Sequence, residues 1–328
     1  MLQGQTDSAI SLFKYGCSMI QHHKKALLNR CKTNNAPCSD VEQTLNLAAA
    51  CFKRISVQFL TLMSDNDPTL WFLFYNTFGS DLTIRENSFT CLADAREALL
   101  DILVEQASPG LKGRSARDIM AHSAKVTRWG ELFDALLLQQ KIQPTDTECR
   151  TIALLQLHRK YSEINVAKYI RGQGDPCFWD RFTTEFSEIV DYAATAAGLD
   201  QDYAKRNCDT DSPPKAYFHI DLGFTSVLLS VITRCRDPFI RRRAIAVMLA
   251  DRVQEGAFNG SQSARVAARV MELEETRSGK EVKCSSDISR EARVRTIRVH
   301  FQGGEDTRVR LVYGFSQGCF EEERSMTE

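Results

Sequence analysis

The densest group of chemistry-bearing residues is Arg234, Arg236, Arg241, Arg242 and Arg243, set in the stretch TRCRDPFIRRRAIAVM. Guanidiniums crowded beside a helix start make a candidate phosphate site, because arginine grips phosphate bidentately and a helix N-terminus offers free N–H donors. The competing reading is internal neutralisation. Asp237 and Pro238 open a helix, Asp237 accepting from the first free N–H groups and Pro238 having none to waste. Ile240, Ala244, Val247 and Met248 then repeat on one face, and after a Gly256 to Ser263 connection Val266, Val270 and Leu273 mark a second helix. Arginines in a first turn and Glu272, Glu274 and Glu275 near a last turn both oppose the backbone dipole. A short connection makes the two helices antiparallel neighbours and brings these misplaced charges together. The favoured expectation is a partly exposed ion-pair network of Arg241, Arg242, Arg243, Glu272, Glu274 and Glu275, at ~0–1 kcal/mol per pair.

His219-Ile220-Asp221 is a second candidate, since alternation along a strand sets an imidazole and a carboxylate on one face, as an acid–base pair or metal site requires. It lacks a third ligand, and Tyr217, Phe218 and Leu222 around it read as core, so a hydrogen-bonded surface histidine is the plainer reading. His22-His23 cannot aim at one ion and sits with Lys24-Lys25 as a basic helix end. The 11 cysteines contain no C-x-x-C pair, and Cys31 and Cys38 each lack the near neighbour a zinc site needs. Reduced, mostly buried thiols are expected, as at Cys51 and Cys91. WFLFYNTF carries no interleaved Arg or Lys, so it reads as core rather than a base-stacking surface. With no glycine-rich phosphate loop, G-x-S-x-G or H-E-x-x-H, no residue is assigned as catalytic, cofactor-binding or metal-ligating, and no cofactor is expected.

The elements that would position these residues are helical. Stripes of period 3.6 run over 5–28 and 41–63, then from Thr90 as a cap to Ser108-Pro109-Gly110, over about 117–140 and 146–169, and from Phe182 to a stop at Gly198. Residues 65–87 read as a packed connection, and 199–216 as a mobile polar loop. Past Ser289 the period becomes two: Ile297, Val299 and Phe301, then Val309, Leu311 and Tyr313, spell a β-hairpin around a glycine-acidic turn. The expected organisation is all-α, about eight to ten helices over 1–277, a linker at 278–289, a hairpin at 290–315 docked on the helices, and a disordered acidic tail at 316–328.

Composition narrows the function classes. Forty-two basic and 42 acidic side chains cancel, so no global field draws the chain to nucleic acid or an anionic membrane. No apolar run approaches the roughly 20 residues that span a bilayer, and the first residues carry neither the basic start nor the apolar centre of a signal peptide. An intracellular protein is expected.

TRCRDPFIRRRAIAVM followed by QEGAFNG and ARVAARVMELEE resembles the C-terminal signature of the helical regulatory domain of fungal zinc-cluster transcription factors. LQGQTDSAISLFKYGCSMI, SFTCLADAREALLDIL, CFWDRFTTEFSEIVDYA and EARVRTIRVHF resemble other segments of that domain, covering about 5–313. The chain departs from the family by carrying no basic six-cysteine cluster, so its zinc-binding and DNA-contacting residues have no counterpart here. The resemblance implies a non-enzymatic nuclear protein in transcriptional control, often of metabolic or secondary-metabolite gene clusters, with no direct DNA binding. It also implies protein partners, either a complete regulator in a dimer or a coactivator, and leaves a small-molecule effector open. The alternatives are a helical scaffold or small-molecule-binding protein, and an enzyme built on His219 and Asp221.

Overall fold

Nine helices account for most of the described residues: α1 (Thr6–Thr33), α2 (Asp40–Met63), α3 (Leu92–Ala107), α4 (Ala116–Gln139), α5 (Asp146–Arg171), α6 (Thr183–Ala196), α7 (Thr225–Arg234), α8 (Pro238–Ala250) and α9 (Gly260–Ser278). The computed structural model describes residues 6–33, 40–63, 77, 87–107, 115–139, 143–171, 174–199, 217–219, 221–250, 253–256, 258–301 and 308–325. The expected loop over 199–216 and the aromatic connection over 65–87 lie almost wholly outside them. The fold is mostly α-helical, with small sheets towards the C-terminus.

Local chemistry sets where helices start and stop. Ser115 and Asp118 exchange side-chain and backbone bonds at the head of α4, and Thr145 and Glu148 do the same for α5, a reciprocal capping that satisfies otherwise orphaned N–H groups. Asp237 Oδ1 accepts from the N–H of Phe239 (3.0 Å) and Ile240 (3.1 Å), as the sequence predicts for α8. Gly198, at φ +71°, closes α6 in a left-handed conformation that a side chain would strain.

Packing then follows the apolar stripes. Phe13, Cys17 and Ile20 of α1 are buried, and Phe13 stacks on Phe52 of α2 with ring centroids 5.6 Å apart. On α4, Val126, Trp129, Phe133 and Leu136 enter a core shared with Leu99 and Leu103 of α3, and the Trp129 indole N–H donates to Ala95 O at 2.8 Å. A second core joins Phe186, Ile189 and Val190 of α6 to Leu228 and Val231 of α7, Val247 of α8 and Ala267 of α9. α5 walls both: Leu155 and Val166 face the first, Leu157 and Ile164 the second.

Among the described residues, two three-stranded sheets accompany the helices. β1 (Tyr217–His219) pairs in parallel with β2 (Val253–Glu255), which pairs antiparallel with β3 (Phe258–Asn259). The sequence reading touches this sheet only through the strand alternation considered at His219 and Asp221, and β1 ends at His219 with Asp221 beyond it; strands of two or three residues cannot display a period of two. The second sheet is antiparallel in the order β4-β5-β6, with β4 (Thr296–Phe301) and β5 (Arg308–Phe315) forming the expected hairpin. Val309, Leu311 and Tyr313 bury against Val266 and Val270 of α9.

The C-terminal boundaries need correction. Gly318–Ser325, expected within a disordered acidic tail, is strand β6, paired along β5 from Phe315↔Gly318 to Arg308↔Ser325. One of its glutamates ties it to the body: Glu322 accepts from Tyr313 Oη (2.9 Å) and from Arg269 Nε (2.9 Å). The expected linker at 278–289 is also ordered. Gly279 ends α9 at φ +68°, and Asp287 Oδ2 accepts the N–H groups of Lys283 and Cys284 around the 3-10 turn Ser285–Asp287. Such local side-chain-to-backbone bonding leaves no hydrophobic period to read.

Candidate functional site

Asp237 and Pro238 start α8 so that Arg241 falls on the face turned to the last turns of α9. There Arg241 Nη1 lies 2.8 Å from Glu274 Oε2, and both side chains are 0% exposed. Glu274 Oε1 accepts from Arg236 Nη2 (2.9 Å) and from the Val294 N–H (2.7 Å), while Arg236 Nη2 also donates to Val294 O (3.0 Å). Two guanidiniums therefore share one carboxylate, and Arg236 and Glu274 together clamp the segment leading into β4. Burial, partly offset by Glu274, lowers the Arg241 pKa. Arginine still stays charged, so the cluster is held by electrostatics that solvent barely screens.

The predicted network is present in part and differs in kind. Its centre is fully buried rather than partly exposed. Arg242 Nη2 reaches Glu275 at 3.0 Å on the surface, as expected. Arg243 pairs instead with Asp191 of α6, and Glu272 with Arg269 one turn back on its own helix at 3.1 Å. Helical geometry explains both departures: Arg243 lies about 200° round α8 from Arg241, and Glu272 about 200° round α9 from Glu274. Arg236, which sequence reasoning placed in the phosphate patch, is the residue missed here, since nothing in its spacing identifies Val294 as a partner. Arg234 is also used internally, its guanidinium lying 4.9 Å from the Trp179 ring centroid and donating to Tyr161 Oη.

A second polar centre surrounds the His219–Asp221 candidate. Asp221 Oδ2 accepts from Arg96 Nη1 of α3 at 2.7 Å, and Asp221 Oδ1 lies 3.8 Å from Arg54 Nε of α2. Its carboxylate is thus an anchor for the N-terminal helices. His219 is half-buried, and burial pulls its pKa down against the raising influence of Asp221. Around them converge two residues that sequence reasoning missed. Glu255, opposite His219 in β2 and 2% exposed, accepts from the N–H of Phe224 (3.0 Å) and Thr225 (2.8 Å), placing a buried carboxylate at the N-terminus of α7. His158 of α5 bonds Gly223 O through Nε2 at 2.9 Å, and burial drops its pKa to about 4, so it is neutral at pH 7. Gly223 was the available signal: a Cβ there would stand 2.0 Å from the Glu255 carboxyl carbon.

A third buried group joins Glu105 of α3 to His122 and Lys125 of α4, at 3.3 and 2.9 Å. Burial pushes the Glu105 carboxyl up, and its contacts with His122 and Lys125 outweigh that burial to leave a pKa of about 2. Cys17 and Cys235 are buried thiols pushed up to about 12 by that burial, while Cys91, Cys284 and Cys319 are exposed, Cys91 lying just before α3 rather than inside an apolar stripe. Among the described residues no group of three or more His, Cys, Asp or Glu side chains is placed to hold a metal ion, and no helix is long and apolar enough to cross a membrane.

Fold and polar centres define a mostly α-helical protein whose charged clusters join its own elements. No protein-family model, curated protein or solved structure matches the chain.

Proposed function

We propose that this chain is a non-enzymatic regulatory protein acting in the nucleus in transcriptional control of metabolic or secondary-metabolite genes, through protein partners rather than direct DNA contact. The observation that carries the reading is the use of the arginine-rich turn. Arg236 and Arg241 are committed to buried Glu274, Arg242 to Glu275 and Arg243 to Asp191. A phosphate-reading patch keeps its guanidiniums at the surface; these support a helical body of the kind the sequence resembles. The commitment of Asp221 to Arg96 likewise favours a structural role for that pair over acid–base work.

The test is a reporter assay with the chain fused to an unrelated DNA-binding domain, beside a gel shift of the purified chain. A several-fold change in reporter output, with no specific probe shift at physiological salt, is the expected result. An unchanged reporter, or a specific shift by the chain alone, overturns the proposal.

A further inference from the structure

α1 turns Phe13, Cys17 and Ile20 towards α2 and presents a different apolar set outwards. Leu12, Tyr15 and Met19 are 71%, 67% and 44% exposed. Their spacing of three and four residues puts them on one helix face over about two turns, roughly 10 Å. Large side chains grouped in this way mark interaction surfaces, whereas single exposed ones are ordinary. The same helix continues into exposed His22, His23 and Lys25. Over Thr6–Thr33 it carries five lysines and arginines against the single Asp7.

We infer that this face of α1 docks an acidic amphipathic helix of a partner protein, the inference resting on the regulatory reading above. Its apolar ridge packs over Leu12, Tyr15 and Met19, and its carboxylates lie against the basic half of α1. This is the helix-on-groove mode of recognition, in which apolar anchors repeat at helical spacing. Charge selects the occupant. The α1 of a second copy carries only Asp7 as a carboxylate, so it would leave the basic half of this helix without complementary charge. An anionic bilayer would satisfy the charge, but three apolar residues over two turns offer little area to bury in it.

The probe is a fluorescent synthetic peptide of about 20 residues, long enough to hold a helix when bound, with leucines at helical spacing and glutamates elsewhere. Anisotropy against the full chain at physiological salt should show saturable binding. Replacing the glutamates by lysines should weaken it at least tenfold, as should the double substitution Leu12→Glu/Tyr15→Glu, with thermal melting unchanged. His22→Glu/Lys25→Glu tests the charged half separately and should also cost several-fold. Absence of saturable binding, equal binding by the substituted chain, or preference for the lysine peptide overturns the inference. So does preferential binding to phosphatidylserine vesicles, or a dimer in sedimentation that Leu12→Glu/Tyr15→Glu dissolves. Peptide binding alongside a silent reporter would sink the transcriptional reading and keep the docking face; an active reporter without peptide binding would do the reverse.

Discussion

Removing the Glu274 carboxylate leaves Arg236 and Arg241 buried with no counter-charge, and stranding a buried ion is far more costly than losing a surface pair. Glu274→Gln is expected to destabilise the chain by about 3–5 kcal/mol, read from urea unfolding. Arg242→Ala, at the exposed pair beside it, should cost under about 1 kcal/mol. His158 supplies a pH signature. Its folded pKa of about 4 lies below the ordinary 6.5 because burial disfavours the charged ring. The unfolded chain therefore takes up a proton first as pH falls, and stability drops between about pH 6.5 and 4, by roughly 3 kcal/mol from this group. His158→Gln can keep the donor to Gly223 O while abolishing that component. Should the wild-type and substituted chains lose stability in parallel over this range, the assignment is wrong.

At the scale of elements, close approaches decide which helices meet. Gly223→Ala would drive a methyl group into the Glu255 carboxylate that caps α7, and is expected to cost at least 2 kcal/mol as an overpacked, partly uncapped site. Gly16→Ala meets Phe52 ring atoms 2.2 Å away and should loosen the α1–α2 pair. Hydrogen exchange localised to Thr6–Met63 would report it. These elements were unequally legible. Helices with strong apolar stripes and capping residues, such as α8, could be read from Asp237, Pro238 and Ile240 onwards, because the information is local. β1 to β3 and the Glu255 cap could not, since three-residue strands show no period and Glu255 meets Phe224 across 31 residues. The charge network was half-legible for the same reason: dipole logic pointed to two helix ends, but only three-dimensional phase sends Arg243 to α6.

Across the whole molecule, the C-terminal sheet is tied to the helical body by buried polar bonds as well as by Val266, Val270 and Leu311. Arg293, 1% exposed, donates to Asp180 Oδ1 and Oδ2 at 2.8 and 2.7 Å and to Pro176 O at 3.0 Å, fastening the approach to β4 beside α6. Truncation after Ser316 would strip Arg269 and Tyr313 of their Glu322 acceptor and leave a two-stranded hairpin, which is marginal alone. The melting temperature should fall by several degrees; no change would mean that β6 contributes nothing to the body. The polar centre at 219–225 has a consequence for the order of folding events. It gathers Arg96, His158 and Glu255 across 125, 65 and 31 residues of chain, so it closes only after the flanking helices have found one another. Substitutions at Asp221 should then leave the folding rate nearly untouched and accelerate unfolding, making this segment a late latch that governs how long the folded chain persists.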